Sequence, residues 1–346
     1  MAATHALLTI TKSLPMPLLK PQLLLLMLFP LIVVSPMLAI SFGSADIAAA
    51  DVGRAVVNAL LGADATNLSQ RIIIELRLPR VLLAMLCGAG LAVSGSVLQS
   101  VTRNPLADPY LFGISAGSTL GAVIALTTGL AGLSLPLCAF LGSLIAVAVV
   151  MVMARDGQVE GLILAGVAIS FLLSSLANLV LYFGDNQAIQ AVLFWNMGSF
   201  SRATWGTLWI PAVVVLTALM VVYQFQRPLQ ALMAGDESAH TQGVAVVPLR
   251  LGMLLQTALI TASLVAYCGG IGFVGLMVPH IVRLLIGAAS GATLIATALF
   301  GAILMVWVDL LSRQLLGNQE LPVGVVTAIL GSAFFIGILM KRRGRS

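Results

Sequence analysis

GLILAGVAISFLLSSLANLVLYF, residues 161 to 183, carries no charged side chain and no proline, and it is long enough to cross a hydrocarbon layer as a helix. A bilayer core is spanned by roughly 20 helical residues, and within it every backbone N–H and C=O must be satisfied by the chain itself. The apolar positions are continuous and do not alternate with period two, so the stretch reads as a helix and not as a barrel strand. The same texture extends through the chain. Of 346 residues, 60% are hydrophobic and 8% charged, with a mean hydropathy of +1.09, far from the composition of a soluble domain. Such runs predict ten crossings: Pro21–Ser41, Val81–Val101, Tyr110–Leu130, Leu133–Ala154, Gly161–Phe183, Trp205–Tyr223, Leu251–Gly269, Leu276–Gly287, Ala292–Leu311 and Pro322–Met340. The predicted fold is an all-α polytopic membrane protein of about ten transmembrane helices, residues 1–346 forming one transmembrane domain.

Lys and Arg accumulate on the cytoplasmic side of membrane proteins, and this fixes the expected orientation. With both termini inside, Lys12, Lys20, Arg103, Arg155, Arg227, Arg250, Arg283, Lys341, Arg342, Arg343 and Arg345 fall in the cytoplasm. That face then carries about +6 and the outer face about −1, so the basic pI of 9.5 reflects topology and not nucleic-acid binding. The basic residues after Met340 read as a stop-transfer, lipid-facing tail. Lys12 and Lys20 precede the first apolar run as in a signal peptide, but no small-residue cleavage site follows, and the run is expected to remain as a first span.

Several chemistries are disfavoured. Cys87, Cys138 and Cys268 are odd in number and lack metal-ligand spacing, and His5, His240 and His280 are isolated, so no metal site is expected. No lysine follows a glycine, so the chain holds no P-loop and cannot be an ATPase of that class. Only Asp309, Arg313, Arg283 and His280 come near the apolar zone, and Asp309 and Arg313 stand four apart on one helical face, where they can pair. An ion-coupled secondary transporter using Asp309, or a membrane enzyme using His280 with Asp309, lacks the buried charged network such functions need.

Glycines 113, 117 and 121 recur at four-residue intervals, which lets helix backbones touch. Gly269, Gly270, Gly272 and Gly275 are denser and weaken any helix, so a break or hinge is expected there, with Pro279 either opening or kinking the next helix. Two prolines enforce a turn in Arg103-Asn-Pro-Leu-Ala-Asp-Pro-Tyr-Leu-Phe-Gly113. Between spans, residues 224–250 form a polar island holding Gly235, Asp236 and Glu237, a place where something from water docks.

Together these segments resemble the FecCD-type permeases, the membrane subunits of ATP-driven importers for ferric siderophores, haem and cobalamin. The resemblance rests on ELRLPRVLLAMLCGAGLAVSG from Glu75, RNPLADPYLFGISAG from Arg103, LILAGVA from Leu162, GGIGFVGLMVPHIVR from Gly269 and ELPVGVVTAILGSAFF from Glu320. It implies a type II importer fold in a bacterial inner membrane, alternating access, and no catalysis by this chain. It also implies a second permease copy or a paralogue, two ABC ATPase subunits that carry ATP and Mg, and a periplasmic or lipoprotein substrate-binding protein. The cargo is left open among siderophore, haem and cobalamin, with an iron chelate favoured.

By the same resemblance, Ala234, Gly235, Asp236, Glu237, Ala239 and Gly243 belong to an ATPase-coupling segment, with Asp236 capping or opening its helix. Gln242 stands where the family has leucine. Arg77, Arg80 and Arg313 match positions that receive acidic residues of the binding protein; on residues alone, Arg77 and Arg80 read first as anchors flanking a span. Gate candidates are Gln158, Val159 and Glu160, which depart from the small hydroxylated residues of relatives. Trp195, Met197 and Gly198 are pathway candidates, with interfacial anchoring and packing the other readings of the first two.

Overall fold

The computed structural model describes residues 18–42, 49–60, 67–128, 134–287, 291–316 and 319–343. Lys12, His5, Arg345 and the expected span ends Leu130 and Leu133 lie outside them. Among the described residues the chain is helical throughout, with no strand. The helices are α1 (Pro21–Ser41), α2 (Ala49–Leu60), α3 (Leu68–Val101), α4 (Ile114–Thr127), α5 (Ser134–Met153), α6 (Val159–Tyr182), α7 (Asn186–Asn196) and α8 (Trp205–Gln224). They continue with α9 (Gln226–Met233), α10 (Asp236–Thr241), α11 (Val246–Cys268), α12 (Val274–Ile286), α13 (Thr293–Gln314) and α14 (Val323–Arg343). Eight of them are long and apolar enough to cross a membrane, and α4 and α12 are shorter apolar helices. These ten match the ten expected crossings in order.

The boundaries differ where polar residues sit inside helices. α3 begins well before Val81, because Asn67 Oδ1 accepts the Gln70 N–H at 2.9 Å and starts a helix that passes through a π-turn at Ile72–Arg77. Arg71, Glu75 and Arg77 hide that stretch from a hydropathy reading. α11 starts at Val246, not Leu251, because Arg250 is buried inside it. α4 starts late: Asp108 Oδ1 accepts the Tyr110 N–H at 2.9 Å and caps a short 3-10 turn, Pro109–Phe112, and Gly113 at φ 78° then redirects the chain.

α3 and α11 are the most enclosed spans, and α6 and α14 among the most open. The enclosure depends on glycine. A Cβ at Gly88 would fall on the Gly301 carbonyl of α13, one at Gly95 on the Gly275 carbonyl of α12, and one at Gly117 on the Gly142 carbonyl of α5. Backbones in contact at these points bring the helices together by dispersion, which in a lipid solvent does the work that hydrophobic burial does in water. Gly95→Leu is therefore expected to separate α3 from α12 and to lower the thermal unfolding midpoint in detergent, overpacking of this kind costing about 1–3 kcal/mol. Gly252→Ala, whose Cβ meets nothing within 4 Å, should leave the midpoint unchanged or raise it.

The glycine-rich break is present between Cys268 and Val274, bracketed by positive φ at Gly269 (73°) and Phe273 (68°). Its glycines are more tightly packed than their density predicts. Cβ atoms at Gly269 and Gly270 would strike the carbonyls of Trp195 and Asn196, and Gly275 lies against Leu91 and Gly95, leaving only Gly272 open. Pro279 lies inside α12 and does not open it.

Candidate functional site

The polar island folds as two short helices across one end of the bundle. α9 turns Leu229, Ala231 and Leu232 inward. Gly235, at φ 120° and ψ 157°, makes a reversal open only to glycine. Asp236 then opens α10 from its first position; the Ncap is Gly235, so Asp236 does not cap the helix. The helix closes with Gly243 at φ 77° and the Val244 N–H donating to Ala239 O at 3.0 Å. Ala234, Glu237, His240, Thr241, Gln242 and Gly243 are exposed. Ala239 is fully buried and packs on the bundle, so it offers no seat to a partner.

Beneath α10 lies Arg250, only 3% exposed. Its Nη2 donates to Asp236 Oδ1 at 2.8 Å, its Nη1 to the Gly157 carbonyl at 2.8 Å and its Nε to the Val101 carbonyl at 3.3 Å. Arg103 Nη2 lies 3.7 Å from the same Asp236 oxygen. One planar guanidinium thus joins α10, the end of α3 and the turn before α6, a geometry lysine cannot copy. Gln158, Val159 and Glu160 follow Gly157 directly; Gln158 and Glu160 are exposed, and Gln158 is the Ncap of α6. The gate candidates are therefore one hydrogen bond from the residue that holds α10.

At the far end of α3 and α13, the three expected docking arginines converge and face inward. Arg80 Nε donates to Asp309 Oδ1 at 2.9 Å, and its Nη1 and Nη2 grip Glu320 at 2.8 and 3.0 Å. Arg313 Nε lies 3.2 Å from Asp309 Oδ2, the i,i+4 pair expected from spacing, while its Nη1 and Nη2 donate to the Phe42 and Ala39 carbonyls, both at 3.1 Å. Arg77 Nη1 donates to the Ile40 and Ser41 carbonyls at 2.6 and 3.2 Å. The cluster clamps the end of α1 to α3 and α13. Asp309 is 1% exposed and Glu320 47% by side chain. A carboxylate held between two guanidinium groups is a poor proton or ion carrier, which weighs against coupling through Asp309. His280 packs its ring edge-on to Phe334, at 5.9 Å between centroids.

Trp195 is 3% exposed in the core between α4, α5 and α11, so its ring does not line an open surface. Residues 195–200 form a knot instead. Ser199 N–H donates to the Cys268 carbonyl at 2.8 Å, and the Val323 and Gly324 N–H groups donate to the Gly198 and Met197 carbonyls at 3.1 and 2.9 Å. Gly198, at φ 74°, sits against Gly270. Met197 alone of the three keeps an exposed side chain, at 39%. Tyr110 ties in a fourth segment, its hydroxyl donating to Ile271 O at 3.1 Å and accepting from Ile271 N at 3.2 Å.

Beside the knot a cleft of about 440 Å³ opens between α4, α6 and the end of α7, lined by Ser115, Thr119, Ser170, Ser174, Asn178 and Asn196. Thr119 Oγ1 donates to Asn196 Oδ1 at 2.9 Å. No charged side chain lines it. The sequence reading missed this cleft, although Ser170, Ser174 and Asn178 recur every four residues within the apolar span 161–183 and so mark one wet face of that helix.

A multi-pass helical bundle with an uncharged polar cleft, and a surface helix latched to the turn before one of the cleft's helices, is the framework of a transport permease. The chain belongs to the FecCD transport family, which matches residues 31–341, and it is a permease of an ABC importer with the all-α type II fold. It is 36% identical over 332 residues to the hemin transport system permease protein HmuU of Yersinia pestis, spanning 94% of this chain and 97% of that protein. It is 37% identical over 280 residues to the vitamin B12 import system permease protein BtuC of Klebsiella pneumoniae, spanning 80% and 84%. A solved inward-facing metal-chelate type ABC transporter superposes with a TM-score of 0.83 at 31% identity, covering 93% of this chain and all of the other.

Proposed function

We propose that this permease works in a bacterial inner membrane with both termini cytoplasmic, pairing with a second copy or a paralogue to enclose the pathway. It performs no covalent chemistry. Two ABC ATPase subunits, carrying ATP and Mg, seat against the exposed face of α10, and a periplasmic or lipoprotein binding protein delivers cargo at the opposite end. The cargo is an iron chelate, a ferric siderophore or haem, with cobalamin the alternative that the BtuC relative supports. The observation that carries this reading is the guanidinium of Arg250, which links α10 to the start of α6, the helix that presents Ser170, Ser174 and Asn178 to the cleft. Displacement of α10 by a closing ATPase dimer is thereby passed to the cleft wall, and alternating access follows as a shift between two packings of the helices.

Docking of the binding protein falls to Arg80 in this reading. An incoming carboxylate exchanges with the half-exposed Glu320, whereas Arg77 and Arg313 hold α1 in place. The uncharged cleft lets a bulky solute pass without a deep electrostatic trap.

The test is uptake by proteoliposomes holding the permease and its ATPase, each cargo offered with its binding protein. Accumulation should require ATP and survive an ionophore; accumulation that needs only an ion gradient contradicts the proposal. Within that assay Arg250→Lys should still bind the ATPase but lose most transport, because an ammonium cannot hold Asp236, Gly157 and Val101 together.

A further inference from the structure

We propose that the permease binds an anionic phospholipid at the end of the bundle that carries α9 and α10, its phosphate on Arg283 and one acyl chain between α8 and α13. Arg283, one turn from the end of α12, has a role in none of the contacts described above. Its Nε donates to the Pro279 carbonyl of its own helix at 3.2 Å, but Nη2 is buried and without a hydrogen-bond partner. Arg283 lines a pocket of about 50 Å³, enough for several water-sized groups, between α3, α9, α12 and α13. Ser96, Ser100, Gln226, Gln230 and Thr293 also line it, the Ser100 and Thr293 hydroxyls donating to the Ser96 and Gly287 carbonyls, and no carboxylate does. Gln226 Oε1 is likewise buried and without a partner. A guanidinium with no carboxylate beside it and one N–H group unpaired is complementary to a phosphate oxyanion.

The source of the phosphate follows from what adjoins the pocket. Leu294 lines it and also lines a groove of about 440 Å³ made by Leu219, Met220 and Tyr223 of α8 and by Ile295, Ala298 and Leu299 of α13, which is almost wholly apolar. A cationic polar pocket that shares Leu294 with a hydrocarbon groove fits one molecule with a phosphate head and an acyl tail; free phosphate uses only the first. Positive charge at this membrane face also favours anionic lipid. Because Leu229, Gln230 and Met233 of α9 form one wall, the bound lipid braces the base of the coupling segment.

Native mass spectrometry of the purified full-length permease, delipidated and given back phosphatidylglycerol, tests the site without any ATPase or cargo. One phosphatidylglycerol per chain should persist at energies that strip other lipids. Arg283→Gln should weaken its retention by about tenfold, roughly one charge-assisted contact. Ile295→Trp, at an exposed position that fills the groove and leaves Arg283 untouched, should weaken it as well, and it carries the test alone if Arg283→Gln does not fold. Inorganic phosphate in excess should not displace the lipid. Equal retention in a folded variant, displacement by inorganic phosphate, or binding that appears only when the ATPase is present overturns the proposal. None of these results depends on the transported cargo.

Discussion

Asp309→Ala is expected to be the most destabilising single change at the arginine cluster. Its carboxylate is 1% exposed and receives both Arg80 and Arg313, which stand on different helices. Removing it leaves two guanidinium groups near one another with only Glu320 and backbone carbonyls to answer them. Removing one partner from a buried ion pair typically costs about 3–5 kcal/mol, far more than the net value of the intact pair. The loss should appear as a large drop in the unfolding midpoint in detergent and release of α1 from α3 and α13, read as faster proteolysis near residue 42. Glu320→Gln should cost about 1 kcal/mol or less, because that partner is half exposed. An Asp309→Ala protein as stable as wild type would show that the cluster is not a clamp.

Gly235→Trp is expected to abolish transport without removing the protein from the membrane. The backbone at φ 120° is open only to glycine, so any side chain must re-aim the start of α10 and pull Asp236 away from Arg250. The position is spacious, with Arg103 Nη1 at 3.9 Å the nearest atom to a new Cβ, so the bundle itself is not overpacked. Membrane level should hold while ATPase copurification and uptake both fall to background. Gly235→Ala separates strain from bulk: it shares the backbone penalty, of order 1–3 kcal/mol, and should transport partially. Normal uptake by Gly235→Trp would remove α10 from the mechanism.

Much of the architecture is legible in the sequence, because hydrocarbon allows few backbone solutions and long uncharged runs have one reading. α4 comes out shorter than expected and α12 starts two residues earlier than expected, at Val274, for a physical reason. Residues 103–113 and 269–273 lie outside the α-helices and are satisfied inside the protein, through Asp108 and Tyr110; prolines and glycines announce these breaks, but hydropathy does not place their ends. That residues 224–250 leave the apolar bundle is legible from their polarity and glycines, though which face of α10 is free depends on Ala239 packing inward. The arginines were the hardest to read. Arg80 and Asp309 stand 229 positions apart, and nothing local shows that they meet, so the internal partners of these arginines cannot be read from the sequence. Trp195 takes the packing alternative, since an aromatic residue near a span end is an anchor, a contact or a core residue according to tertiary packing alone.

The central claim is that the exposed tip of α10 seats on the ATPase at the cytoplasmic face. A single cysteine at the exposed His240, in a background where Cys87, Cys138 and Cys268 are replaced, can carry a short photoactivatable cross-linker in membrane vesicles of known orientation. The account predicts labelling only from the cytoplasmic side and a covalent adduct with the ATPase subunit whose yield changes when ATP is added. Labelling from the outer side, or no adduct while the complex transports normally, would contradict it.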